Sequence, residues 1–416
     1  MSPRVTAAFE RTFVSLRSSR NFRLYLLGQF VSAVGTWMNF TASSWLVLQL
    51  TGSGTALGIN GALHFGPVLL LGPFGGVLAD RFDKRKILAA TQAAYAGVAL
   101  TLAALVAFDA ATLGLVYALA LVAGIVTAID NPARQSFYVE MVGEEVLTNA
   151  VSLNSAAFTG SRIIGPAIAG ILIGTVGMAA CFLIDGLSYL AVLGALLAMR
   201  TDELHEQRRS TRERGHLLAG FRYVWRTDEL RRPLIILAIV FTFAFQWAVL
   251  VPLLAERVFD SGAREFGFLS AAAGIGSFAA ALTFAHRGGT PTMRVLGLSA
   301  LGTGAASLLI AVAPTLEIAA LAMIPIGYAS MAFMITGNTM LQLTAKPEAR
   351  GRVMALYGVV FLGSIPLGAP IVGALGEFLG VQLAFAICAL VPLAVGGSIL
   401  WRRRLAVAAA EVGTAG

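Results

Sequence analysis

Stretches of about 20 predominantly apolar residues recur along almost the whole chain, and each is long enough to cross a bilayer as a helix. Apolar runs bounded by charge or turn residues predict spans at 24–50, 55–79, 87–108, 112–133, 150–174 and 178–199. After a polar stretch, 200–232, further spans fall at 233–256, 265–286, 293–313, 316–338, 352–376 and 381–401. The predicted fold class is an all-α membrane protein of twelve transmembrane helices. With 57% hydrophobic and only 12% charged residues in 416, these spans leave no room for a separate soluble domain. The expected division is an N-terminal bundle 1–199, a linker 200–232 and a C-terminal bundle 233–416 with a short tail.

An even number of spans puts both termini on one side, and the side rich in Lys and Arg is the cytoplasmic one. Assigning the termini and the even-numbered loops to the cytoplasm collects 27 of the 30 basic residues there. Arg257 and Arg264 fall outside, and Arg162 lies within a span. A net charge of +8 invites a nucleic-acid reading, but the charges are spread over separate loops without interleaved aromatics, so no nucleic-acid partner is expected. The bilayer itself is the expected partner, with the basic face against anionic lipid. The basic N-terminus lacks a small-residue cleavage site, so no signal peptide is expected. Cys181 and Cys388 sit in spans of different halves without ligand spacing, and no metal or other cofactor is implied.

The two halves are related. Shifting 158–200 by 203 positions gives 17 identities in 43 ungapped positions, among them Gly160, Gly165, Gly170 and Arg200 on Gly363, Gly368, Gly373 and Arg403. Random pairing in so apolar a composition gives about four. A shift that carries spans 5 and 6 onto 11 and 12 preserves their direction, so the repeats are parallel, related by an axis along the membrane normal. Two similar bundles rocking about a central site expose it to either side in turn, which is the requirement of a transporter.

Three motifs carry a resemblance. Gly76-Val-Leu-Ala-Asp80-Arg81-Phe-Asp83-Lys84-Arg85-Lys86 joins spans 2 and 3, with six of its last seven residues charged and a basic run at its end. Asp80 is placed to cap a neighbouring helix N-terminus, and with the basic residues it predicts a cytoplasmic latch. The run resembles the loop between spans 2 and 3 of the major facilitator superfamily, with Asp83 where that loop commonly has Gly. Span 5 holds Gly160-Ser-Arg-Ile-Ile-Gly165-Pro166-Ala-Ile-Ala-Gly170, which resembles the motif of exporters in the superfamily. Its small residues permit close helix contact and Pro166 permits a bend. Trp45 to Ser53 and Asn131 to Gln135 are similar to the branch containing the enterobactin exporter and related multidrug efflux proteins. The resemblance implies export of a small organic molecule, drug-like or a siderophore, from the cytoplasm across the cell membrane.

Charged groups inside spans cost about 2.5–3.5 kcal/mol on insertion scales and are functional candidates. Arg162, about twelve residues into span 5, and Asp185, about seven into span 6, reach similar depth at about 1.5 Å per residue. An ion pair released by protonation or by substrate is the expectation, with a static pair as the alternative. Asp130 is a further coupling candidate, although Arg134 lies one turn away and suits local pairing. His64 is read as a silent core histidine. The substrate cavity is expected to draw on Trp37, Asn39, Asn154, Gln246, Trp247 and Asn338, whose aromatic faces and amides suit an amphipathic molecule.

The leading function is therefore proton-coupled antiport, with protons as co-substrate and no obligate protein partner. An importer or facilitator of the same fold and a membrane-embedded sensor are the alternatives. The four histidines, 64, 205, 216 and 286, are too scattered for an embedded enzyme, and no Walker-type loop is present.

Overall fold

Every regular element among the described residues is helical; the computed structural model describes 14–143, 145–205, 216–287, 291–346 and 349–414. In chain order the helices are α1 (Val14–Ser18), α2 (Arg20–Thr51), α3 (Gly54–Arg81), α4 (Lys84–Ala107), α5 (Leu113–Val142), α6 (Leu147–Thr175), α7 (Met178–Leu197) and α8 (His216–Arg226). They continue as α9 (Asp228–Ala244), α10 (Trp247–Leu253), α11 (Ala263–Arg287), α12 (Met293–Ala311), α13 (Leu316–Thr344), α14 (Arg350–Phe378) and α15 (Val381–Thr414).

Eleven stretches among the described residues are long and apolar enough to cross a membrane. One of them, Asp228–Val258, joins α9, α10 and the π turn Leu254–Val258. The sequence predicts twelve, and the difference is α2. Its 32 residues reach about 48 Å, more than enough to span. Thr36, Asn39, Thr41, Ser43, Ser44 and Gln49 lower its hydropathy, so length qualifies it where composition does not.

The chain forms two compact units. The first lies within Met1–Leu50 and Leu63–Thr211, the second within Thr51–Ala62 and Arg212–Gly416. In the first, Phe22, Tyr25, Leu88, Phe137, Tyr138, Met141 and Leu196 form a buried core in which Tyr25 meets Phe137 and Tyr138 edge to face. In the second, Phe241 is the hub, with Phe245, Phe333, Tyr357 and Phe361 arranged around it. Leu70, Leu321 and Leu367 are exposed, as lipid-facing side chains are when helix association depends on packing rather than on escape from water.

Helix starts follow their caps. Thr112, Thr292 and Thr315 each accept a hydrogen bond from the backbone three residues on. Between α3 and α4 a carboxylate caps the helix start. Asp80 belongs to the last turn of α3, which runs on to Arg81, and Asp83 is the residue whose side chain accepts from Lys86 N at 3.2 Å. A carboxylate where the related loop has Gly thus starts α4. Asp83→Ala is expected to cost about 1 kcal/mol of helix stability, read as a lowered thermal unfolding midpoint in detergent, with Asp83→Ser recovering most of it.

Candidate functional site: a polar array in the first unit

The first unit carries three clusters of polar groups. The best satisfied surrounds Asp130, which is buried on α5. Its Oδ1 accepts from Thr91 Oγ1 at 2.7 Å and from Gln92 Nε2 at 3.0 Å. Its Oδ2 accepts from Arg134 Nε at 2.9 Å and from Arg134 Nη2. The local pair expected from the one-turn spacing is present, and α4 adds two donors through the adjacent Thr91 and Gln92.

The second cluster centres on Asp185, also buried, on α7. Asn39 Nδ2 donates to its Oδ2 at 2.7 Å, and among the described residues Oδ1 has no donor. The carboxyl is pressed against α2. A Cβ on Gly35 would stand 2.8 Å from Asp185 Oδ1 and 2.6 Å from Ser188 Oγ, so only glycine admits this approach. One turn along α7, Tyr189 hydrogen-bonds Thr36 at 3.1 Å and stacks on Tyr95, with ring centroids 5.3 Å apart. Tyr95 in turn bonds Thr127 at 2.8 Å.

The third is an aromatic nest with a cation. The Arg162 guanidinium lies over the Trp37 ring, 5.0 Å from its centroid. Trp37 meets Phe40 and Phe158, each at 5.8 Å, and Phe40 leads to Phe65 and His64. Gly165 makes the nest possible, because a Cβ there would come within 2.5 Å of Trp37 Cβ. Pro166 follows it inside α6, buried, as is Gly170, whereas Gly160 is more open.

Arg162 and Asp185 therefore do not form the expected ion pair. Trp37 and Asn39 are two residues apart, about 200° around a helix of 3.6 residues per turn. Arg162 and Asp185 accordingly sit on opposite sides of α2. Among the described residues Arg162 meets no carboxylate within ion-pair distance.

Two basic residues of the first turn of α4 bind inside the same unit. Lys84 Nζ pairs with Glu140 Oε1 at 2.5 Å, and Arg85 Nε donates to the Leu196 carbonyl at 2.6 Å, at the end of α7. A cation at a helix C-terminus meets the negative end of its dipole. Arg81 and Asp80 are exposed and Gly76 is buried.

The second-unit candidates are placed differently. Gln246 occupies the break between α9 and α10, where its Nε2 donates to the carbonyls of Phe241 at 3.0 Å and Ser364 at 3.4 Å. That amide serves the backbone of a broken helix. Trp247 lines a small hollow with Phe243, Ser307, Phe385 and Cys388. Asn338 accepts from Gln342 at 2.7 Å, and Asn154 in the first unit is half-buried on α6. Sequence reasoning missed Glu377, whose Oε2 accepts from Ser53 Oγ at 2.6 Å and Thr55 N at 2.9 Å at the start of α3. It also missed Thr91 and Gln92, which donate to Asp130, and the stacked pair Tyr95 and Tyr189, the latter one turn from Asp185.

A membrane chain whose described regular elements are all helices, with these intramembrane charges, is of the transporter class, and its fold is that of the major facilitator superfamily. It is similar, at a TM-score of 0.74 and 12% identity, to the crystal structure of a POT family transporter in complex with 5-aminolevulinic acid, covering 92% of this chain and 96% of that one. The chain belongs to the transmembrane secretion effector family, which it matches over residues 11–414. Among curated relatives it is 25% identical to the staphyloferrin A transporter of Staphylococcus aureus, over 88% of this chain and 92% of the relative. It is 29% identical to the enterobactin exporter of Shigella boydii, over 88% and 87%. It is thus a multi-pass transporter of the cytoplasmic membrane, not an enzyme.

Proposed function

We propose that the protein is a proton-coupled secondary exporter of a small organic molecule, drug-like or a siderophore, working by alternating access. In this reading it has twelve spans, α2 included, as two parallel six-helix repeats, 1–199 and 233–416, joined by 200–232, with both termini cytoplasmic. The observation that carries it is the separation of Arg162 from Asp185 by α2. Charges at membrane depth are costly and are retained for ion or substrate pathways. Here the cation lies over an indole, and the carboxyl has the Asn39 amide on one oxygen with Tyr189 beside it. Asp185 is the proton-carrying group, its free oxygen opposite Gly35. Arg162 with Trp37, Phe40 and Phe158 receives the substrate, a cation and aromatic faces suiting an organic anion. Gly76, Asp80, Arg81, Lys84 and Arg85 form the cytoplasmic latch, and Asp130 with Arg134 holds α4 against α5. The two named relatives, with siderophores in both their names, favour the siderophore class.

The test is transport into everted vesicles from a host lacking its own efflux pumps, with a catecholate, a citrate-based siderophore and a cationic dye as probes. Accumulation is expected to rise when an inside-acid gradient is imposed, and the anionic probes to accumulate over the dye. Equal accumulation with and without the gradient refutes proton coupling. Accumulation only in right-side-out vesicles makes the protein an importer, and movement of no probe under any gradient refutes transport.

A further inference from the structure

The short helix α8 comes two residues before the membrane span that opens at Asp228. Its described side chains, 221–226, divide around the helix by chemistry. Val224 is buried in the core of the second unit with Leu230, Leu234 and Tyr357, so this side is docked. Phe221 and Trp225, one turn apart, stack on each other with ring centroids at 5.1 Å, yet each is half exposed. Arg222 and Arg226, also one turn apart, are exposed. At 100° per residue the aromatic pair lies between the docked side and the arginine pair. Trp225 is held in place from the other direction, its carbonyl accepting from Arg231 Nη1 at 3.3 Å while Arg231 pairs with Asp228 at 2.6 Å.

In water, two large exposed rings on a docked helix would be a liability. At a membrane boundary they have a solvent. Tryptophan and other amphipathic aromatics settle at the headgroup level, and arginines beside them reach the phosphates. Continuity with the span starting at Asp228 puts α8 at that level, and the basic character of the surrounding segment gives the sign of the lipid.

We propose that α8 is an interfacial helix that inserts Phe221 and Trp225 into the cytoplasmic leaflet and binds anionic phospholipid headgroups through Arg222 and Arg226. It rests on the topology proposed above only for the choice of leaflet. The lipid holds the start of the second unit at a fixed depth, because α8 is fastened to that unit through Val224.

The experiment uses the full chain reconstituted in vesicles of phosphatidylcholine with phosphatidylglycerol, one lipid or the other brominated on its acyl chains. The Trp225 signal is taken as wild type minus Trp225→Phe. Quenching by brominated phosphatidylglycerol is expected to exceed that by brominated phosphatidylcholine at equal mole fraction, with preference falling about fivefold per arginine removed in Arg222→Gln and Arg222→Gln/Arg226→Gln. An unchanged unfolding midpoint in detergent shows that the variants remain folded. Quenching of Trp225 by aqueous iodide but by neither lipid overturns the proposal, as does equal quenching by both lipids. Shielding from lipid and iodide alike also overturns it, and assigns the rings to a protein partner. No substrate enters the measurement, so a failure of the transport reading leaves the outcome intact.

Discussion

Asp185→Asn is expected to remain folded yet to lose gradient-driven accumulation by about tenfold or more, as removal of an obligatory intramembrane proton carrier does. The substitution is close to isosteric. Asn39 Nδ2, 2.7 Å from Oδ2, still finds an acceptor in the amide oxygen, and the contact with Gly35 asks for no extra volume. What disappears is the oxygen able to take up and release a proton. Exchange of labelled for unlabelled substrate without a gradient should persist, since it needs the binding residues and the conformational change but no net proton movement. Gradient-driven accumulation at the wild-type level would remove Asp185 from the coupling role. Loss of exchange as well, with an unchanged unfolding midpoint, would place it among the substrate contacts.

Asp130→Ala is expected to fail differently, by destabilising the protein by about 3–5 kcal/mol, the penalty of leaving a buried charge without its partner. Four hydrogen bonds converge on this carboxylate, two of them from Arg134, and the pair is mostly shielded, with side-chain exposures of 18% for Arg134 and 2% for Asp130. Asp130→Ala/Arg134→Met should recover part of the loss, because the stranded cation is gone and its volume is filled by apolar atoms. Thermal unfolding in detergent reads both. A single variant within about 1 kcal/mol of wild type would mean that water reaches the pair and screens it.

These two carboxylates also show what a sequence discloses. Asp130 and Arg134 were legible because a four-residue spacing within one helix fixes azimuth as well as height. Asp185 and Arg162 were not, because counting residues from a membrane face gives height alone. Which side of α2 each occupies depends on where Gly35 and Gly165 let α7 and α6 come close. Span boundaries followed the apolar runs, and α2 was the exception only in composition; two of the polar residues that lower its hydropathy, Asn39 and Thr36, are those that bond Asp185 and Tyr189. The bonds from Gln246 to the Phe241 and Ser364 carbonyls were not legible, because a helix break between Ala244 and Trp247 leaves no trace in a continuous apolar run. Glu377 lay beyond reach because its partners, Ser53 and Thr55, are more than 320 residues away in the chain.

The fit of α2 against its neighbours bears on how such a protein diversifies. Gly35 and Gly165 leave no space for even a methyl group, so the spacing of α2 from α6 and α7 cannot drift gradually. On the substrate role proposed above for the Arg162 nest, new cargo is accommodated by exchanging side chains on a fixed frame. Trp37, Phe40 and Phe158 are free to vary in size within the nest, and Arg162 in sign, without moving a helix. Lineages with different cargoes should therefore differ at these four positions while keeping glycine at 35 and 165, so that selectivity changes in single substitutions rather than by remodelling the bundle.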